Sequence, residues 1–218
     1  GNLGLANALR MADICIGEFG FAVVKMNPAQ NAYPITSEEV LAVTERIAGH
    51  GAVTAFHFGA DTPYTPAEGL EAVARTFPEA PFLAVHMGGG GAGYVEAEPL
   101  YLKTRYMGLR NPNIRFILSA RRDTHAESDL IVFQQAGEPF CRNLLCGSDA
   151  PYGRVSWNFG GYRAMLSSLQ DATHHPDPRV RRREVVFSDD AVRGYLGGNC
   201  ARLVQGACEE VIRRSGLG

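Results

Sequence analysis

Five short apolar runs recur along the chain at nearly constant spacing, and this beat restricts the fold more than any other feature. They occupy residues 22–26 (AVVKM), 53–57 (VTAFH), 82–86 (FLAVH), 114–119 (IRFILS) and 143–148 (NLLCGS). Their starts lie 31, 29, 32 and 29 residues apart. Each run is short, partly β-branched and bounded by turn formers, as expected of a buried strand. Helical signals fill the gaps. Ser37-Glu38-Glu39 opens an apolar pattern at helical spacing that runs from Val40 through Ile47 and closes near Gly49. Thr65-Pro66-Ala67-Glu68 predicts an N-cap with proline at the first helical position, and that helix stops before Pro78. Strand, helix and strand at this spacing make a βαβ unit and a parallel sheet. A (β/α)₈ barrel spends about 31 residues on each unit. A doubly wound sheet gives similar spacing, so the beat alone leaves both open.

Composition narrows the class. The 218 residues are 45% hydrophobic, enough for one sizeable core, and a single domain over 1–218 is expected. The net charge of −2 gives no basic bias toward nucleic acid or an anionic membrane. No apolar run approaches the roughly 20 residues of a membrane span. The five cysteines (15, 141, 146, 200, 208) are odd in number and form no C-x-x-C pair, which predicts buried free thiols and a reducing, cytoplasmic setting. The arginines at 179, 181, 182 and 183 lack interleaved aromatics and read as a solvated helix start.

The strand ends carry the chemistry. Lys25 precedes Met-Asn-Pro, His57 precedes Phe-Gly, His86 precedes Met-Gly-Gly, and Asp149 follows Gly-Ser. In a parallel barrel the C-terminal strand ends form the catalytic face. A lone histidine at such a position commonly serves structure, and Asp149 alone would pass for a turn cap. Four ionisable residues at one register of successive strands make coincidence a poor account. Imidazole and carboxylate together suit Zn²⁺ or a similar divalent ion. A histidine off the metal would move the proton.

At these residues the sequence resembles the amidohydrolase-related (amidohydrolase 2) branch of the amidohydrolase superfamily. AVVKMNP, AFHFG, AVHMGGG, LLCGSDAPYG and the late YLGGNCARLV match in the family's order across nearly the whole chain. The resemblance implies a TIM barrel whose fourth to eighth strands are the five runs. It implies that His57 binds the metal, that Asp149 binds it and sits near the activated water, and that His86 acts as a general acid or base. Lys25 occupies the position of a bridging lysine in some relatives and is read as structural or substrate-facing. The family's first strand carries a His-x-His pair; none precedes AVVKM, and residues 3–16 read as one helix. The expectation is therefore a barrel lacking its first three units. The family's barrels often associate, so a homo-oligomer is also expected.

Other residues bear on the same mouth. Gly88 through Gly91 and Gly93 form a loop after the His86 run, and backbone near Gly89 would meet an anionic substrate or simply supply a turn. Tyr152 and Trp157 follow Asp149 and would wall a pocket for a planar small molecule or pack in the core. Arg121 and Arg122 lie in the loop that opens toward the mouth, with His125 beside them. His50 reads as a helix-end residue, and His174-His175 as part of a surface loop. The expected function is a metal-dependent hydrolase that directs metal-activated water at an amide or lactone. The alternatives are a metal-dependent non-oxidative decarboxylase of an aromatic or unsaturated acid, and a non-catalytic barrel remnant. A phosphate-binding isomerase would leave His57 and Asp149 without a joint role.

Overall fold

The structure, a computed structural model, describes residues 4–59, 63–88, 98–119, 123–149 and 159–217. Five strands form one parallel sheet in chain order: β1 (Val23–Met26), β2 (Val53–His57), β3 (Phe82–Val85), β4 (Ile114–Leu118) and β5 (Leu144–Cys146). Each matches one of the five sequence runs to within a residue or two at its ends. Sequential parallel order follows from the intervening helices, because a parallel neighbour needs a crossover. These are α2 (Glu38–Gly49), α3 (Ala67–Thr76), α4 (Glu98–Gly108) and α5 (Asp123–Ala136). Ser37 caps α2 by accepting from Val40 N–H at 3.3 Å. At α3 the start is one residue later than expected. Pro66, extended at ψ 149°, is itself the cap and its carbonyl takes the first helical N–H bonds.

The register explains the two faces. Lys25, Ala55, Leu83 and Arg115 are cross-strand partners, as are His57, Val85 and Ile117 in the next inward row. Alternation then sends Phe56, Phe82, Ala84, Phe116, Leu118 and Leu144 to the other face. There they join Leu70, Val73, Leu130, Phe133, Tyr162 and Leu166 in the main core. Phe56, Phe82 and Phe116 are fully buried, and each such ring stabilises by roughly 1.5–3 kcal/mol. The inner face is smaller: Val53, Ala55, Leu83 and Leu145 pack with Leu203 and Ala207 of α9 (Asn199–Ser215).

The Gly-Asn-x-Ala-Arg-Leu pattern at the start of α9 has a local physical cause. Asn199 is buried and donates to Leu144 O at 2.9 Å and Cys141 O at 3.3 Å, while Arg202 donates to its Oδ1 at 2.5 Å. One amide thus fixes α9 to the start of β5. The first helix runs from α1 (Gly4–Ala12) into a π-helical turn over Asp13–Glu18. Ala12, Ile16, Ile47, Ala52 and Val211 tie this segment to α2 and α9. The remaining helices are α6 (Phe159–Asp171), α7 (Pro178–Arg181) and α8 (Asp189–Arg193). No helix among the described residues is long and apolar enough to cross a membrane.

Three sequence expectations need correction. His125 lies within α5 and not in a loop, because the helix starts as early as Asp123. His175 is buried, not a surface residue: its Nε2 lies 2.9 Å from a Glu127 oxygen and its Nδ1 accepts from Asp177 N–H at 3.1 Å. The five cysteines are free, but none is fully buried, and Cys200 is exposed.

Candidate active site at the strand ends

Strand alternation alone would not bring the expected residues together. His57 closes β2 on the inner face, in register with Val85. His86 is next along the chain from Val85, so an unbroken strand would send it to the helix-packed face with Ala84. The chain instead leaves the strand at His86 with φ 76°, followed by Met87 at φ 46° and Gly88 at φ 85°. Left-handed backbone costs non-glycine residues roughly 1–2 kcal/mol each. Three backbone bonds hold this turn: His86 N–H to Ile117 O at 3.1 Å, Gly88 N–H to Phe58 O at 3.0 Å and Phe58 N–H to Val85 O at 3.0 Å. The glycine is needed where the turn is tightest. The result sets the His86 ring against that of His57, with centroids 4.6 Å apart and planes at 69°.

Asp149 reaches the same place from β5. It too has a left-handed backbone, φ 52°, three residues beyond the strand. Its Oδ1 lies 4.0 Å from His86 Nε2, and its carboxylate is about one-third exposed (33%) while the His86 side chain is 4% exposed. Strained non-glycine residues, His86 and Met87 after β3 and Asp149 after β5, are a pattern that concentrates at functional sites. Gly147 makes the approach feasible: a side chain there would collide with the Ile117 side chain. Tyr162 donates to the Gly147 carbonyl at 3.1 Å from α6.

The other Nδ1 side of His86 meets a residue that the strand-end reading missed. Ser119, buried just after β4, places Oγ 2.8 Å from His86 Nδ1. It follows β4 by one residue, at the same C-terminal end of the sheet as His57 and Asp149. The only available signal was that position, because serine carries no charge to mark it. Lys25 is the exposed residue of β1 and contributes to the field at His86. Burial is the main cause that lowers the His86 pKa, to about 4. The neighbouring His57 and Lys25 push in the same direction, against Asp149 and the Ser119 backbone. His86 is therefore neutral at neutral pH.

The structure thus brings together His57, His86 and Asp149, with Lys25 within electrostatic reach. Gly89, Tyr152 and Trp157 lie outside the described residues, as do Arg121 and Arg122. His50 ends α2 as its C-cap and sits 2.9 Å from Asp13, remote from this cluster in sequence and element. Hydrogen bonds from His50 and then Arg46 hold the Asp13 carboxyl below its ordinary pKa. The donor set at the strand ends, two imidazoles and a carboxylate, suits a borderline divalent ion in kind. Among the described residues no three histidine, cysteine or carboxylate side chains stand in a ligating arrangement.

Comparison with known proteins agrees with the fold. A family model described as amidohydrolase matches residues 3–205. Among solved structures, the uncharacterized TIM-barrel protein Bb4693 from Bordetella bronchiseptica superposes with a TM-score of 0.63 at 18% identity. The match covers 91% of this chain and 61% of that one. At this identity the likeness speaks to the fold alone. No curated protein matches the chain.

Proposed function

The chain belongs to the amidohydrolase family, and from that premise we propose that its strand ends serve a metal-dependent hydrolase acting on the C–N or C–O bond of an amide or lactone. One observation carries the reading: neutral His86 is packed against His57 and faces Asp149 at the C-terminal ends of three parallel strands. His57 and Asp149 would hold the divalent ion, with Zn²⁺ the first choice for this donor set. The ion would supply Lewis acidity and a water acidic enough to ionise near neutral pH.

The chain's own groups account for the proton handling. Asp149, partly exposed, accepts a hydrogen bond from the attacking water and orients it. His86, uncharged at neutral pH, takes a proton at Nε2 and returns it to the leaving nitrogen or oxygen, since Nδ1 is engaged by Ser119. The Lys25 ammonium favours substrates with an anionic group on the inner side of the sheet.

Elemental analysis after loading and dialysis tests the proposal, on the chain and on its His57→Ala and Asp149→Ala variants. Stoichiometric metal, lost in both variants, supports the reading. A screen of lactones, amides and aromatic carboxylic acids then separates hydrolysis from decarboxylation. A folded protein that binds no divalent ion, or binds it equally well without His57 and Asp149, overturns it.

A further inference from the structure

We propose that Arg115 anchors a second ligand site, a cavity for a small organic carboxylate at the end of the sheet opposite His57, His86 and Asp149. Register places the residue. Arg115 is the second residue of β4 and stands in the row of Lys25, Ala55 and Leu83. Its neighbours Ile114 and Phe116 join the main core, so its own side chain takes the inner face. Four residues separate it from Ser119, roughly 13 Å along an extended strand. Lys25, the other cation of the row, is three strands away on β1. A cavity of about 610 Å³ opens beside Arg115, between α9 and the segment that joins α3 to β3. Its walls include Leu203, Gly206 and Ala207 on one side and Phe77, Ala80 and Pro81 on the other, and none of His57, His86 and Asp149 lines it.

The charges lining this cavity are unbalanced. Among the described residues the half-buried Arg115 makes no hydrogen bond and no ion pair. Arginine cannot shed its charge, and a guanidinium drawn out of water without an acceptor is costly. Burial lowers its pKa, and no carboxylate acts in the other direction. Arg202 also lines the cavity; its Nη2 donates to Asn199 Oδ1, and its other N–H groups have no partner among the described residues. Arg214 and Glu210 are closed on each other: Arg214 Nε donates to Glu210 at 2.6 Å, and its Nη1 donates to the Ala48 and Gly49 carbonyls. That leaves Glu79, exposed at the rim, against two guanidinium groups. The fork of an arginine matches a carboxylate with two parallel hydrogen bonds. The apolar walls would shelter an organic body and offer little to inorganic phosphate, which needs donors on every side. The volume lies within the range of about 300–1,000 Å³ common for small-molecule sites.

The test titrates benzoate into the ¹⁵N-labelled, metal-free chain at neutral pH, with the Arg115 Nε–H signal identified by its loss in Arg115→Gln. That signal should shift saturably. By calorimetry, Arg115→Gln should weaken benzoate binding by at least about tenfold, as expected for a lost charged hydrogen-bond partner. Gly206 supplies a variant that keeps Arg115 and serves if Arg115→Gln does not fold. A Cβ there meets nothing within 4 Å, so Gly206→Phe should occupy the cavity and abolish binding. His57→Ala and Asp149→Ala should bind benzoate as the unsubstituted chain does, and inorganic phosphate should bind it more weakly than benzoate. A folded chain that does not bind benzoate overturns the proposal. So does binding undiminished in either Arg115→Gln or Gly206→Phe, binding lost with His57 or Asp149, or phosphate bound as tightly as benzoate. Metal content does not enter this readout. A chain that binds no metal yet binds benzoate through Arg115 would remove the hydrolase reading and keep this one.

Discussion

Gly147 lies two residues before Asp149, and replacing it with alanine would test whether the inner face is as tightly built as the geometry implies. An ideal Cβ at Gly147 falls under 3.0 Å from Ile117 Cγ2 and 3.7 Å from Ser119 Cβ. Carbon atoms pack at about 3.5–4.0 Å, so Ile117 or β5 must yield by roughly 1 Å. Overpacking of this kind costs about 1–3 kcal/mol. An unfolding entropy of ~2.1 cal/mol/K per residue over 218 residues then gives a fall of about 2–7 °C in Tm. The displaced atoms matter for the site, since Ile117 O receives the His86 N–H and Gly147 leads to Asp149. The refuting measurement is a double-mutant cycle by calorimetry. Ile117→Ala removes the obstructing methyl and is destabilising alone, yet it should relieve Gly147→Ala. The double variant should be more stable than the sum of the singles predicts by at least ~1 kcal/mol, well beyond the ~0.5 kcal/mol of independent sites. Additive losses, or a Gly147→Ala protein as stable as the original, would refute the packing argument.

Further outcomes follow from other contacts. His86 has a folded-state pKa of about 4, below its unfolded value near 6.5, so its neutral form stabilises the fold above that unfolded value. As pH falls from 6.5 toward 4 the unfolded chain binds the proton first, and the metal-free protein should lose up to about 3 kcal/mol in urea titrations. In His86→Asn, whose asparagine tolerates the left-handed backbone, this part of the loss should vanish. Asn199→Ala strips donors from the Leu144 and Cys141 carbonyls and should cost about 1–3 kcal/mol by thermal melting. Arg105 donates to fully buried Asp129 at 2.7 Å, so Arg105→Met should cost about 3–5 kcal/mol, with partial recovery on adding Asp129→Leu; equal stability of Arg105→Met would sink the idea that the pair is interdependent.

Much of the scaffold was legible because its signals are local and repeated. The five strands carry short, mostly apolar runs, with both faces best covered at β2 and β3. His57, His86 and Asp149 were legible as a group because parallel strands deliver their C-terminal ends to one side. What could not be read was partnership across the sequence. His175 looked like a loop residue until Glu127, 48 positions earlier, neutralised its burial. His125 sits in a polar stretch that α5 nevertheless includes. Asn199 announced itself as part of a family pattern but not as the amide that ties α9 to β5.

The site also departs from the rule that made it legible. A period of two places His57 on the inner face and His86 on the opposite one, so alternation taken literally separates the two histidines. They meet because the strand ends one residue early and the left-handed turn at His86 reverses the parity. The apolar run FLAVH conceals that break, since histidine at a strand end looks the same whether the strand continues or stops. The following Gly88 gives the one local hint, as a left-handed turn is cheapest there. The turn then depends on Ile117 O and Phe58 O, and the ring on Ser119, all from neighbouring strands or their ends. The candidate site is accordingly a property of the ends of β2, β3, β4 and β5 together, and a change at any of these supports should reach His86 without touching it.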